Sequence, residues 1–171
     1  MPLLRNTDRS KISKRKNPAA RLLWFREQGY LPEALRNFLQ LLAYPPVGES
    51  EVATFDEFVA GFDWAKVNTV GPIFDLKKLD WLNGHYLRQL SADELADAIA
   101  AFASETGQWG EPTDRQQEIL RAAVPIIQER LVLLKDALPQ LDFLFASDDE
   151  LAVDGDAVEG LNENARDVLE A

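Results

Sequence analysis

The chain has 171 residues, a net charge of −11, one histidine and no cysteine. That excludes disulfides, thiolate metal sites, a histidine-built zinc centre and a conventional nucleophile–histidine triad. No apolar run approaches the roughly 20 residues that span a bilayer, and basic residues interrupt the start where a secretion signal would need an apolar stretch. The expectation is a cytoplasmic protein with no membrane contact. With 46% hydrophobic residues it carries enough apolar side chains for a folded core.

The charge is unevenly spread. Residues 1–26 hold eight Lys/Arg against the single acid Asp8, leaving ten Lys/Arg against 28 acids for the rest. A basic head on an acidic body points to phosphate contact at one end only.

In chain order, Met1–Leu4 reads as the end of a strand, followed by a polar loop to Asn17. Pro18 suits the first turn of a helix over 18–28, with Ala19, Leu22, Leu23, Trp24 and Phe25 apolar and Gly29 as its stop. Pro32 opens a second helix to about Ala43, with Leu35, Phe38, Leu39 and Leu42 on one face. Tyr44-Pro45-Pro46 breaks it.

Thr54-Phe55-Asp56-Glu57 and Ser91-Ala92-Asp93-Glu94 have the form of capping boxes, each predicting a helix start. Between them, 62–72 reads as irregular or briefly extended, and 75–90 as a helix. Thr113 or Asp114 caps the next helix, which runs to about Ala123. Pro125 is expected to restart the chain instead of continuing that helix. Residues 125–145 read as one or two further helices with a break near Pro139. After Ser147 the chain turns acidic. That stretch lacks the spacing and turn glycine of a calcium loop and reads as solvated linker, before helical spacing returns at Leu161, Ala165, Val168 and Leu169.

On the wheel of helix 75–90, Leu76, Leu79, Leu82, Tyr86, Leu87 and Leu90 share one arc and form the expected core face. Lys77, Trp81, Gly84, His85 and Arg88 occupy the other side. Cations beside an aromatic plane suit an RNA backbone and a stacked base. The plainer alternative buries Trp81 and lets Lys77 and Arg88 lie along apolar surface. His85 reads as a polar helix residue. Trp24, Phe25, Phe38 and Trp64 read as core. Trp109 is either a surface anchor or a lid, and Arg121 and Arg130 are either RNA contacts or ordinary surface charge. Leu3, Leu4 and parts of the helices over 18–43 form the expected exposed apolar patch, which would favour self-association.

Lys11-Ile12-Ser13-Lys14-Arg15 resembles the second signature motif of class I aminoacyl-tRNA synthetases, in the form used by bacterial glutamyl-tRNA synthetases. The surroundings are similar to that family too: Pro2-Leu3-Leu4-Arg5-Asn6, Gly29-Tyr30-Leu31-Pro32-Glu33-Ala34-Leu35, Phe74-Asp75-Leu76-Lys77-Lys78-Leu79 and Trp81-Leu82-Asn83-Gly84-His85-Tyr86-Leu87-Arg88. The resemblance runs over about 2–145.

It implies a mainly α fold, with a stem-contact domain over 1–90 and a helical anticodon-binding subdomain over 91–145. An acidic linker and the start of a last subdomain would follow over 146–171. It implies ATP and Mg2+ as cofactors, no zinc, glutamate and glutamate tRNA as partners, and a monomeric parent enzyme. Within the motif Lys14 is the expected ATP contact. Lys11 and Ser13 join it in catalysis, and Ile12 and Arg15 complete the nucleotide loop. Lys77, Trp81 and Arg88 are the candidate RNA contacts.

Positioned cations are the main lever on phosphate chemistry, since negative charge builds there in the transition state. The family's first signature, a His-x-Gly-His-type element, has no counterpart in the sequence, and Asn83-Gly84-His85 lies in a helical pattern after the phosphate motif. The expectation is therefore a fragment of a glutamate–tRNA ligase, inactive alone. A free-standing helical tRNA-binding or interaction module without catalysis is the alternative. The shortened relative that glutamylates a modified tRNA base is set aside, because it keeps the first signature and lacks a long helical extension.

Overall fold

The computed structural model describes residues 4–13, 19 and 21–145. Among the described residues there are seven α-helices: α1 (Leu22–Gln28), α2 (Pro32–Ala43), α3 (Phe55–Ala60), α4 (Leu76–Gln89), α5 (Ala92–Glu105), α6 (Asp114–Ile127) and α7 (Leu138–Leu141). Short 3-10 turns occupy Trp64–Lys66, Gln128–Arg130, Leu134–Ala137 and Asp142–Leu144. The described residues form isolated bridges but no extended strand, at Arg5 with Lys11 and Arg5 with Ile73. The backbone divides into a unit ending at Leu141 and a second beginning at Asp142. Of the second, the described part is one turn, closed by the Phe145 N–H donating to the Asp142 carbonyl at 3.1 Å.

Local chemistry starts most of these helices where the sequence predicts. Both expected boxes close and Thr113 forms a third: the N-cap hydroxyls of Thr54, Ser91 and Thr113 accept from the backbone N–H groups of Glu57, Glu94 and Gln116. Those three side chains in turn accept from the N-cap backbone. The returned bonds, first from the Ser91 backbone and then from its hydroxyl, hold the Glu94 carboxyl below its ordinary range, and Thr54 does the same for Glu57. A depressed native pKa gives stability that is full above the ordinary carboxyl pKa and lost as pH falls through the native one. Ser91→Ala is expected to cost about 1 kcal/mol near neutral pH and to shallow the acid limb of a stability–pH curve, measured by urea titration.

Other elements depart from expectation. The first helix begins at Leu22 and not at Pro18, because Arg21 is extended (φ −107, ψ 127); Pro18 itself lies outside the described residues. Phe25 is buried, but Leu22 and Leu23 point outward. α6 runs through Pro125 to Ile127 instead of stopping near Ala123. A proline there forfeits one helical hydrogen bond, yet Val124 and Ile127 on the same turn are buried, and that packing carries the helix on. Beyond it the chain uses single 3-10 turns up to α7, and Pro139 lies within α7.

The core forms where α2 packs on α4 and α5 on α6. Phe25, Tyr30, Phe38, Phe74, Leu79 and Leu82 make one cluster, each large side chain worth roughly 1.5–3 kcal/mol of burial. Two asparagines are buried with it, which the apolar pattern does not announce. Asn37 Nδ2 donates to the Glu51 carbonyl, and its Oδ1 accepts from Ala53 N–H and the Tyr86 hydroxyl. Asn83 Oδ1 accepts from Leu31 N–H at 2.8 Å, while Nδ2 donates to the Val132 carbonyl at 2.5 Å. The Tyr30 hydroxyl donates to Asp80; burial first and that carboxylate second push its ionisation upward. Trp64, expected in the core, is 81% exposed: it sits in a turn capped by Asp63, edge-on to Phe62.

Candidate functional site

The motif-bearing loop is built as a tight hairpin. Asn6 N–H donates to the Ser10 carbonyl, Arg9 N–H to the Asn6 carbonyl and Ile12 N–H to the Leu4 carbonyl. Arg9 takes the left-handed conformation at φ 67. Asp8 Oδ1 accepts from Ser10 N–H, and bonding to Ser10 holds the Asp8 carboxyl below its usual range. The hairpin is tied to the start of α4 through both backbone groups of Arg5. Its N–H donates to the Pro72 carbonyl at 3.0 Å, and its carbonyl accepts from Phe74 N–H at 2.8 Å.

This arrangement displays Lys11 to solvent, half-buries Ser13 and packs Ile12 against the core. Arg5 and Arg9, neither of them named as a site residue from the sequence, are exposed on the same hairpin; Arg9 had only the basic head as a signal, while Arg5 also stood in the family-like run over 2–6. Cations with a hydroxyl donor fit phosphate oxygens well. Lys14 and Arg15 lie outside the described residues. Among the described residues no group of three or more acids or histidines is placed to hold a metal ion.

The second candidate surface lies along α4. Lys77 and Arg88 are exposed, and Trp81 is 49% exposed. The ring of His85 lies 6.1 Å from that of Trp81, and its Nε2 is 3.0 Å from Gln89 Nε2. A cation–aromatic–imidazole–cation stripe thus runs down the helix, with His85 half-buried and Trp81 not packed away. Gly84 does not belong to the stripe. It is buried, and a Cβ there would stand 3.4 Å from the Leu131 carbonyl and 3.1 Å from Arg88 Nη1. Its role is close packing, with the Arg88 head lying over it. Arg121 is engaged by Asp93 at 3.3 Å and Asp97 at 3.6 Å across α5 and α6. That favours the ordinary surface-charge reading for it.

Residues 1–81 match the family profile "tRNA synthetases class I (E and Q), catalytic domain". The class this profile describes is that of the class I tRNA synthetases, and it is matched over the first 81 of the 171 residues. A glutamate–tRNA ligase of Cutibacterium acnes is 56% identical over 177 aligned residues, covering 100% of this chain and 36% of the relative. The glutamate–tRNA ligase of Thermus thermophilus is 42% identical over 150 residues, covering 86% of this chain and 31% of the relative. A solved glutamate tRNA ligase from Elizabethkingia meningosepticum shares the fold with a TM-score of 0.74 at 24% identity, over 99% of this chain and 36% of that one. The homologues of this chain are glutamate–tRNA ligases, and it spans about a third of their length. Among the described residues no helix is long and apolar enough to cross a membrane.

Proposed function

We propose that this chain is the segment of a cytoplasmic glutamate–tRNA ligase that supplies the ATP-phosphate loop and the tRNA-contacting helices. The 56% identity along the whole chain carries this reading. In it, Lys11, Ser13 and Lys14 neutralise and bond the phosphates of ATP as pyrophosphate leaves, with Ile12 anchoring the loop and Arg15 adding positive field. The stem-contact part is 1–90 and the anticodon-side helical part begins at 91, a boundary that falls between the C-cap residue of α4 and the N-cap Ser91 of α5. Lys77, Trp81 and Arg88 face the tRNA.

The sequence holds one histidine, within α4, and so no His-x-Gly-His-type element to complete an ATP pocket. The 171-residue chain alone is therefore expected to give no ATP–pyrophosphate exchange with glutamate. Its RNA face is testable by itself. Titrated with glutamate tRNA over a salt series, Trp81→Ala should weaken binding about tenfold, as loss of one stacked base does. Lys77→Ala should lower the salt slope by about one. Equal, steep salt dependence with an unrelated tRNA, unmoved by Trp81→Ala, would show that the basic head binds only as charge.

A further inference from the structure

A groove runs between α2 and α3, on residues that neither the nucleotide loop nor the α4 stripe uses. At one end a cavity of about 430 Å³ is walled by Leu39, Tyr44, Phe58, Phe62 and Trp64. At the other, one of about 290 Å³ is lined by Glu33, Asp56, Thr54 and Tyr86. Arg36, Gln40 and Phe55 line both, which makes the two ends one continuous surface. The apolar end is held in place by ring contacts: Tyr44 stacks on Phe62 at 5.3 Å, and Phe62 meets Trp64 edge-on at 5.0 Å. Trp64, Phe55 and Leu39 nevertheless stand 81%, 51% and 47% exposed. Three large apolar side chains bordering one concave surface are the ordinary mark of a docking site.

The polar end decides what docks there. Glu33 is paired with Arg36 at 3.3 Å, and Arg36 also lies over the Phe55 ring. Asp56 has no ion-pair partner among the described residues. The Tyr86 hydroxyl points to Asn37 and the Ala53 carbonyl. Its ionisation is pushed up by burial first and then by the Glu33 and Glu57 carboxylates, with Arg36 opposing. The field at this end is negative. Where the two ends meet, Gln40 Oε1 is buried with no hydrogen-bond partner in the described structure, an acceptor suited to a donor carried by a ligand.

We propose that this groove docks a polypeptide segment presenting an aromatic or large aliphatic side chain beside a Lys or Arg. The apolar side chain enters the Trp64–Phe62 end, and the cationic head reaches Asp56 and Glu33 with an N–H toward Gln40 Oε1. RNA is disfavoured, since its phosphates would face two carboxylates. A second copy of this chain is disfavoured as well, because two copies would each bring a net charge of −11.

The test uses the full chain and labelled nonapeptides with a central Trp or Phe and Lys at varied flanking positions, followed by fluorescence anisotropy. The controls are the same peptides with Glu for Lys, and a short oligoribonucleotide. Saturable binding of a Lys peptide is expected, weakened about tenfold by Trp64→Ala and several-fold by Glu33→Gln with Asp56→Asn. The Glu peptides should bind at least about tenfold more weakly. Trp64→Ala removes an exposed ring, and an unchanged circular dichroism spectrum will show that the fold survives. Absence of saturable binding by every Lys peptide, equal binding of Lys and Glu peptides, indifference to Trp64→Ala, or preference for the oligoribonucleotide would each overturn the proposal.

Discussion

Asn83→Leu is expected to lower unfolding free energy by about 3 kcal/mol, although the substitution keeps the branched side-chain shape and adds apolar surface in a fully buried position. Asn83 serves two backbone groups from different parts of the chain: the Leu31 N–H where α2 begins, and the Val132 carbonyl just after the 3-10 turn at Gln128–Arg130. Leucine offers neither an acceptor nor a donor. Each stranded backbone group then costs about 1–3 kcal/mol of desolvation with no compensating bond. A urea titration will report the loss as a fall in midpoint with an unchanged slope. A drop under about 1 kcal/mol would mean that water reaches both groups and the site is less closed than its geometry shows.

Gly29→Ala should cost about as much, for a steric reason. Gly29 ends α1 at φ 83, a conformation that L side chains rarely adopt. A Cβ there would lie 2.9 Å from Leu134 Cβ and 3.0 Å from the backbone nitrogens of Leu134 and Lys135. Those neighbours are fixed atoms and not the ends of flexible side chains, so the 134–135 backbone has to retreat. The bond from Leu134 N–H to the Gly29 carbonyl, 3.1 Å long, is strained with it. Backbone strain of about 1 kcal/mol plus overpacking of about 1–3 kcal/mol gives the expected total of about 3 kcal/mol.

Gly48 provides an internal control. It has almost the same φ, 82, with nothing within 4 Å of its ideal Cβ. Gly48→Ala should therefore cost only the strain, about 1 kcal/mol. If the two glycine variants lose equally, close approach at Gly29 is not what matters. Asn83 and Gly29 hold the α1–α2 turn against the same 131–135 segment, so combining Asn83→Leu with Gly29→Ala should cost less than the sum of the two.

Parts of this molecule governed by neighbours in sequence were legible before any fold was known. A cap hydroxyl and an acid three residues on fix a helix start by themselves, as at Thr54 and Ser91. A glycine in the left-handed conformation fixes a helix end, as at Gly29. The hairpin cations and the α4 stripe were legible for a similar reason, since charge clustering and the helical wheel need only the chain.

What was hidden depends on partners distant in sequence. Asn37 and Asn83 look like surface residues until Ala53, Leu31 and Val132 arrive as hydrogen-bond partners. Trp64 looks like core until the turn capped by Asp63 carries it outward. Pro125 looks like a terminator until Val124 and Ile127 are seen buried beside it. The α2–α3 groove had no sequence signature, because its walls come from two helices and a turn spaced over about thirty residues.

The hairpin's attachment also limits how its described residues can move. Both hydrogen-bonding groups of the Arg5 backbone are committed to residues 72 and 74, and Ile12 is packed into the core cluster. The segment from Arg5 to Ile12 is therefore riveted to the base of α4. Its pivot cannot lie ahead of Ile12 without breaking the two bonds to Arg5. The backbone at Lys11 is accordingly held at a distance from the base of α4 that the fold sets.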